Sequence, residues 1–297
     1  MHGWVILDKP LRLGSTQGVS AVKRALREGG YGKFKVGHGG TLDPLATGVL
    51  PIAVGEATKL AGRMLDSDKI YDFTICFGAE TDTLDLEGEV IATSDAFIDG
   101  ADVEDVLVDF IGEIDQIPPA YSALKVNGER AYDLARVGET VTLATRRVTI
   151  HALDYVSWWS EDGKQFATLR AHVSKGTYIR SLARDIALAL GTVGHVTMLR
   201  RTRAGPFGVD SAISLDKLAD AAKARTLEHL LLPLRAGLDD IPALSLTPDQ
   251  AGLLRQGQVL AGIAADDGQY FALLEETPVA LVEAQSGLVR VVRGFNL

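Results

Sequence analysis

One carboxylate lies in a loop whose composition suits the presentation of a charged group to a ligand. Asp43 falls within residues 37–48, where four glycines allow tight turns and close approach to another molecule. Pro44 follows and disfavours helix at Asp43, and the apolar residues 49–54 predict a buried strand behind the loop. The pattern indicates an acid held on a stiff turn. Asp-Pro is also common in ordinary turns, so a purely structural Asp43 remains an alternative at this point.

Two other polar groups stand at the ends of predicted elements. Tyr71 opens an alternating strand, residues 71–77, and a strand tyrosine usually packs with a polar tip at the surface. Arg180 follows a strand-to-helix turn and lies in the first turn of a helix that is predicted to end at Gly191. Free backbone N–H groups point outward there, so Arg180 could complete an anion site; an exposed helix arginine is the alternative.

Charge is unevenly distributed along the chain, although the net charge of -9 argues against nucleic-acid binding. Residues 1–63 hold nine Lys/Arg against four Asp/Glu, and residues 164–203 hold eight against one. Residues 80–115 hold thirteen acids and neither Lys nor Arg. If the fold brings the two basic segments together, they form a positive face on an acidic body that suits RNA. Two unrelated solvated surfaces are the alternative.

Several classes of protein are excluded or disfavoured. The single cysteine, Cys76, excludes an intramolecular disulfide and a cysteine metal cluster. The acidic residues 81–89 lack the spacing of a calcium-binding EF-hand. No apolar run reaches the roughly 18–20 residues that span a bilayer, and the first residues lack the features of a signal peptide. We expect a cytoplasmic protein with no membrane partner and no metal site.

Residues 37–52 closely resemble the catalytic loop of the TruB-type tRNA pseudouridine synthases. Three further family motifs follow in the family's order: Gly55-Glu56-Ala57-Thr58-Lys59, Asp68-Lys69-Ile70-Tyr71 and Lys175-Gly176-Thr177-Tyr178-Ile179-Arg180. The resemblance covers roughly residues 1–210 strongly and the remaining tail weakly. Arg12 is a departure, because the family usually has glycine at that point.

The resemblance implies an activity and roles for particular residues. The family isomerises uridine to pseudouridine in the T-loop of tRNA, at position 55, without cofactor or metal. By resemblance, Asp43 is the nucleophile, Tyr71 stacks on the target base and acts in proton transfer, and Arg180 keeps Asp43 ionised and aimed. His38 would displace the target base from its loop. The expected substrate-binding residues are Lys9, His38, Lys59, Lys175, Tyr178, Arg200 and Arg201. Whether Asp43 attacks the sugar or the base, or abstracts a sugar proton, stays open.

The resemblance also implies the architecture. We expect an α+β pseudouridine synthase fold with a mixed, mostly antiparallel sheet, flanking helices and a central cleft. Residues 1–241 would form the catalytic domain and residues 242–297 a small PUA-like RNA-binding module. The expected partner is the T-arm stem-loop of tRNA, bound by a monomer. A phosphate-handling enzyme is disfavoured because the loop lacks a Gly-Lys-Ser/Thr ending; a non-catalytic tRNA-binding factor is the other alternative.

Three local expectations can be compared directly with the structure. Ser15 or Thr16 is predicted to cap a helix that ends near Gly29. A proline-led strand is predicted from Ile117, ending in a turn at Asn127-Gly128. Residues 225–234 are predicted to be helical.

Overall fold

The computed structural model of the chain describes residues 1–122, 125–126, 129–130 and 143–297. Within these residues no helix combines the length and apolar character required to cross a membrane. The α-helices are α1 Ser15–Glu28, α2 Ala61–Asp66, α3 Gly100–Val106, α4 Ile179–Ala189, α5 Leu215–Ala224 and α6 Pro248–Arg255. Short 3-10 helices span Gly55–Leu60, Leu107–Phe110, Val209–Ser211, Leu227–Leu230 and Leu234–Gly237.

The strands form one large sheet, a second smaller sheet and two short hairpins. The strands of the large sheet and the hairpins are β1 Gly3–Lys9, β2 Val36–His38, β3 Ala46–Val54, β4 Lys69–Phe77, β5 Ala79–Thr81, β6 Val90–Thr93, β7 Gly112–Gln116, β8 Lys125–Val126, β9 Glu129–Arg130, β10 Arg146–Glu161, β11 Lys164–Val173, β12 Gly194–Ala204, β13 Phe207–Gly208 and β14 Leu232–Pro233. The second sheet contains β15 Ala243–Ser245, β16 Leu260–Ala261, β17 Gly268–Leu274, β18 Thr277–Gln285 and β19 Leu288–Gly294.

The large sheet is antiparallel except at its centre. Its order is β14-β1-β3-β12-β4-β11-β10-β7, with β2 added to β3 and β13 added to β12. Only β3 and β12 run parallel among the described strands of this sheet, and Thr47 there lies beside Arg200. This crossover brings the two basic segments of the sequence together, and it places the loop before β3 against β12. The predicted α+β class with a mixed, mostly antiparallel sheet is confirmed.

Two hydrophobic clusters cover one face of the sheet and meet along a seam. One packs α1 and α5 against β1 and β3, and the other packs α3 and α4 against β4, β10 and β11. Tyr71 and Leu199 contact both clusters. Helices therefore flank a cleft whose floor is formed by β4 and β12.

The second sheet is docked on the opposite face rather than separate from the large one. A third cluster joins Trp4 and Met64 of the first unit to Phe271, Leu281 and Phe295 of the second. All five side chains are buried. The small unit therefore shares its core with the large one, as expected for a module of about 55 residues that is marginal alone.

The three local expectations differ from the structure in instructive ways. Gly14, not Ser15, is the N-cap of α1, because the Ser15 side chain is used in a long-range contact. Residues 117–122 form no strand, since Pro118 and Pro119 have no N–H to donate; the predicted turn at Asn127-Gly128 lies outside the described residues. The prediction of one continuous helix over residues 225–234 is wrong, because Arg225 adopts a left-handed φ of 58° that ends α5, and the chain then forms a 3-10 helix at Leu227–Leu230 before β14.

Candidate active site

Asp43 lies at the point where its loop enters β3. The backbone carbonyl of Asp43 accepts a hydrogen bond from Ala46 N at 3.0 Å, which forms the turn that the Asp-Pro pair predicts. The neighbouring Leu42 is fixed by Ser15, whose hydroxyl lies 2.9 Å from Leu42 O and 2.8 Å from Leu42 N. The Asp43 side chain remains 42% exposed. A rigid backbone thus presents an accessible carboxylate.

Two buried cations, Lys9 and Arg201, donate hydrogen bonds to backbone carbonyls of the Asp43 loop. The Lys9 ammonium donates to Leu13 O at 2.6 Å and to Pro44 O at 3.3 Å. The Arg201 guanidinium donates to Gly40 O and Thr41 O at 3.3 Å each, and to Val49 O at 2.8 Å. Neither residue is more than 1% exposed. Both side chains therefore act first on the loop backbone, and a direct contact between either residue and RNA stays a prediction.

Arg12 keeps a loop shape that favours glycine. Its φ is 66°, in the left-handed region, and its backbone N–H donates to Pro44 O at 2.8 Å. A non-glycine residue in this region costs of order 1 kcal/mol. Arginine thus occupies the conformation that a glycine would adopt without strain, and the contact to the Asp43 loop is made by the backbone.

Arg180 connects α4 to the Asp43 loop. Its Nη2 lies 2.9 Å from Asp43 Oδ2, and its side chain is only 8% exposed. The same guanidinium donates to Thr83 O at 2.8 Å and to Tyr121 O at 3.0 Å. Because carbonyls from two other segments fix the guanidinium, it holds Asp43 in one direction.

Asp85 is a second carboxylate on Arg180 that the sequence analysis did not single out. Its Oδ2 lies 3.3 Å from Arg180 Nη1, and both side chains are buried. Asp85 Oδ1 accepts from Thr83 Oγ1 at 2.6 Å and from Glu87 N at 3.0 Å. The sequence shows only an acidic stretch without the spacing of a calcium site, and nothing in that stretch indicates that Arg180 lies opposite.

A cavity of about 330 Å³ opens beside the Asp43–Arg180 pair. This volume is within the range of small-ligand sites, roughly 300–1,000 Å³. Apolar side chains form much of its wall, and polar groups converge on one side. The lining includes Asp43, Ala46, Lys69, Tyr71, Val173, Tyr178, Ile179, Arg180, Leu199 and Arg201. The predicted catalytic residues Asp43, Tyr71 and Arg180 thus share one pocket with the predicted binding residues Tyr178 and Arg201.

Tyr178 is held in this pocket by a residue outside the predicted set. Its backbone N–H donates to Gln116 Oε1 at 2.8 Å, and its carbonyl accepts from Gln116 Nε2 at 3.1 Å. Burial raises the pKa of the Tyr178 phenol. Tyr178 therefore offers a neutral ring and hydroxyl to a bound ligand at neutral pH.

Five of the predicted binding residues lie outside the lining of the cavity, and Lys9, described above, is one of them. Lys59 pairs with Glu56 at 2.6 Å and donates to Gly294 O at 2.8 Å, so it faces the C-terminal unit. Arg200 forms two 3.0 Å hydrogen bonds with Asp8. Lys175 pairs with Asp66 at the surface. Their contacts with RNA stay predictions.

His38, the fifth, lies on β2 opposite Ile52 of β3. Its Nδ1 is buried and has no hydrogen-bond partner among the described residues. Burial, together with the charge of Arg201, lowers the pKa of His38. The imidazole is therefore neutral at physiological pH.

Comparison with known families places this geometry in context. Residues 25–179 match the model of the TruB family pseudouridylate synthase N-terminal domain. Residues 180–239 match the tRNA pseudouridylate synthase B C-terminal domain. The first match alone covers more than half of the chain.

Similar proteins extend the match over the full chain. The tRNA pseudouridine synthase B of Novosphingobium aromaticivorans is 68% identical over all of this chain and 98% of its own length. That of Zymomonas mobilis is 60% identical over all of this chain and 96% of its own length. Among solved structures, a Cbf5-Nop10-Gar1 complex contains a chain with TM-score 0.73 and 25% identity, covering 99% of this chain and 85% of that one.

Proposed function

This chain belongs to the TruB family of pseudouridylate synthases, and from that membership we propose that it isomerises a uridine of tRNA to pseudouridine at T-loop position 55. Its 68% and 60% identical relatives are named tRNA pseudouridine synthase B. The observation that carries the detailed proposal is the Asp43–Arg180 pair, at 2.9 Å, on the wall of a cavity that also contains Tyr71.

We propose that an RNA uridine reaches Asp43 by base flipping. The glycosidic bond of a uridine in a folded loop is buried, so the nucleotide must be flipped out at a cost of a few kcal/mol. The apolar walls at Val173 and Leu199 accept the flipped base, and Tyr71 offers a ring on which the base can stack. Contacts with the RNA backbone offset the unstacking cost, and they make the affinity sensitive to salt.

In this pocket Asp43 acts as the nucleophile on the nucleoside, and the bond that its carboxylate forms breaks again before the product leaves. The C1′–N1 bond breaks, the trapped base rotates, and C5 bonds to C1′. The proton on C5 is lost and N1 gains one, so the composition of the nucleotide is unchanged. Arg180 fixes the direction of the Asp43 carboxylate, and Tyr71, on the wall of the same cavity, is proposed to act in the proton transfer. The residues perform these steps without cofactor or metal.

We propose a role in RNA binding, separate from catalysis, for the C-terminal unit. The C-terminal unit, residues 242–297, is proposed to be a PUA-like module that contacts RNA from its position on the back of the large sheet. We further propose a cytoplasmic monomer that binds the T-arm stem-loop. Analytical ultracentrifugation of the free protein and of the RNA complex tests the stoichiometry.

The test of the proposal is Asp43→Asn, assayed by release of tritium from C5-labelled uridine in a T-arm stem-loop. We expect turnover to be abolished while the stem-loop still binds, because the amide keeps the shape of the side chain but not its nucleophilic charge. Asp95→Asn, at an exposed loop position, is the matched control and keeps full activity.

Two results would contradict the proposal. Tritium release that persists in Asp43→Asn rules out the nucleophile assignment. Absence of release by the unsubstituted protein, with binding intact, would instead favour the non-catalytic tRNA-binding alternative.

A further inference from the structure

A cluster of two histidines and one aspartate lies on the outer face of the large sheet, away from the cavity. We name Asp68, His151 and His172 the histidine cluster. His151 Nε2 lies 3.3 Å and His172 Nε2 3.9 Å from the same oxygen, Asp68 Oδ2. One ligand atom from each residue falls within 4.8 Å of the others. Neither histidine belongs to the motifs or to the cavity that support the proposed function.

The local backbone brings the two imidazoles together. In the β10–β11 pairing, Ile150 lies opposite Val173 and Ala152 opposite His172, so His151 is the extra residue of a β-bulge. A bulge re-aims a side chain relative to its strand, and here the two rings lie 4.8 Å apart. Val173 lines the cavity on the inner face, and alternation along β11 places His172 on the outer face.

The arginines near Asp68 have other partners, so the Asp68 carboxylate pairs with the histidines. Arg63 and Arg203 line the same outer groove, but Arg63 pairs with Asp240 at 2.9 Å and Arg203 donates to Gly205 O. Among the described residues, the ion-pair contacts of Asp68 are those with His151 and His172. The three groups thus combine one negative charge with two imidazole nitrogens, the donor types that zinc and cobalt prefer.

We propose that the histidine cluster binds one divalent transition-metal ion of the zinc type. Two ligands on one tetrahedral zinc ion lie about 3.3–3.5 Å apart. The His151–Asp68 separation already matches this value. The three ligand atoms lie within 4.8 Å of one another, so binding one ion requires the exposed imidazoles to approach each other by up to roughly 1.4 Å. The three side chains are 36%, 41% and 49% exposed for His151, His172 and Asp68, so an ion can reach them from solvent.

The ion would have a structural role, cross-linking strands, and would take no part in the reaction. It would join β10 and β11 to the residue immediately before β4, the strand that carries Tyr71. Asp68 is already fixed there, because its backbone carbonyl accepts from Gly205 N at 2.9 Å. Three protein ligands leave at least one coordination position for water. Metal binding to the folded state alone raises its stability by mass action.

The test uses the full-length, tag-free protein after treatment with a chelator. Co²⁺ is titrated and followed by its visible absorption, Zn²⁺ is added to displace it, and the melting temperature is measured with and without Zn²⁺. We expect one Co²⁺ per chain, displacement by Zn²⁺ and a rise in melting temperature. His151→Ala and His172→Ala should each weaken binding at least about tenfold, because each removes a ligand.

Two control variants separate this site from other metal-binding groups. His229→Ala removes an exposed histidine outside the cluster and should leave binding unchanged. His2→Ala removes the imidazole next to the N-terminal amine, which could itself bind metal. Binding that is lost in His2→Ala but retained in His151→Ala and His172→Ala overturns the proposal. So does a wild-type protein that binds no Co²⁺ at millimolar concentration.

Discussion

At the scale of single residues, the geometry of the site depends on which acceptor each lysine and arginine side chain binds. The side chains of Lys9, Arg200 and Arg201 look in the sequence like contacts for an RNA backbone. In the structure Lys9 and Arg201 bind backbone carbonyls of the Asp43 loop, and Arg200 binds Asp8. Arg180 is shared between Asp43 and Asp85. Lys9, Arg180 and Arg201 thus hold the Asp43 loop in place.

Asp85 should act as a positioning residue for Arg180. Asp85→Ala leaves the guanidinium with Asp43 and two carbonyls, so its direction is less strictly held. Since small misplacements in an active site cost up to about a hundredfold in rate, we expect a roughly ten- to hundredfold lower turnover with little change in RNA affinity.

Single-turnover kinetics and RNA binding measured together check this expectation. Glu87→Ala, an exposed acid of the same turn, is the control for a loss of negative charge. Equal turnover of the Asp85 and Glu87 variants would show that Asp85 positions nothing. Rescue by Asp85→Glu would favour positioning over a purely structural role.

Lys9 makes a prediction about stability and pH. Burial lowers its pKa to about 8, although the nearby Asp43 opposes the shift; an unfolded lysine titrates near 10.5. Between these values the unfolded chain binds more protons than the folded one. The contribution of Lys9 therefore makes the free energy of unfolding rise as pH increases from about 8 to about 10.5.

The measurement is urea unfolding across this pH range for the wild type and Lys9→Met. We expect the free energy of unfolding of the wild type, minus that of Lys9→Met, to increase with pH, because the variant lacks this titration. Cys76 and Tyr178, whose pKa values are raised by burial, cancel in the comparison. Exposed Lys23→Met should parallel the wild type; a parallel Lys9→Met curve would contradict the assignment.

At the scale of elements, the parallel contact of β3 and β12 sets the position of the Asp43 loop. Gly48 sits at this contact with a φ of 98°, and a Cβ there would lie 2.1 Å from Arg201 O. Backbone oxygen cannot move away as a flexible side chain can. A glycine is thus required where the loop enters the sheet.

We expect Gly48→Ala to destabilise the protein by at least about 1–3 kcal/mol, from strain at positive φ together with the steric clash. It should also reduce activity, because the loop beside β12 is displaced. Gly62→Ala, at an exposed helical position with open space, is the matched control. It should be neutral or stabilising by about 0.5–1 kcal/mol. Thermal unfolding and tritium release measure both effects.

At this scale, sequence patterns predicted some helices and strands correctly and others incorrectly. Apolar patterning correctly predicted β3, β4 and α4. It failed for residues 225–234, where Arg225 terminates α5 in a left-handed conformation. Arginine carries no signal for that conformation, whereas glycine would have. The cap of α1 was misassigned for a similar reason, because the partner of Ser15 is 27 residues away.

At the scale of the whole molecule, strand pairing and a shared hydrophobic cluster bring segments that are distant in sequence together. The β3–β12 pairing does bring the two basic segments together. Lys175, Arg180 and Arg200 of these segments are nevertheless paired with Asp8, Asp43, Asp66 and Asp85. Asp66 and Asp85 lie outside both segments, so the net charge of the segments overstates the positive surface. The C-terminal unit shares a buried cluster with the large sheet.

Phe295 tests whether the two units unfold together. Phe295→Ala removes a buried ring that contacts Phe271 at a centroid distance of 5.9 Å. We expect a loss of about 3 kcal/mol and a single transition at lower temperature, because the cluster belongs to both units. Val292→Ala, 48% exposed, should change stability little. A separate early transition of the C-terminal unit would contradict a shared core.

The sequence by itself determined the family, the fold class and the groups Asp43, Tyr71 and Arg180, because each stands in a short motif or a periodic element that local spacing encodes. Tertiary structure alone decided that Asp85 holds Arg180, that Lys9 and Arg201 are turned inward, and that His151 meets His172 across a bulge. The partner of a charged side chain is set by chain crossings tens or hundreds of residues apart. Periodicity describes which face a residue occupies, and it carries no record of what lies opposite.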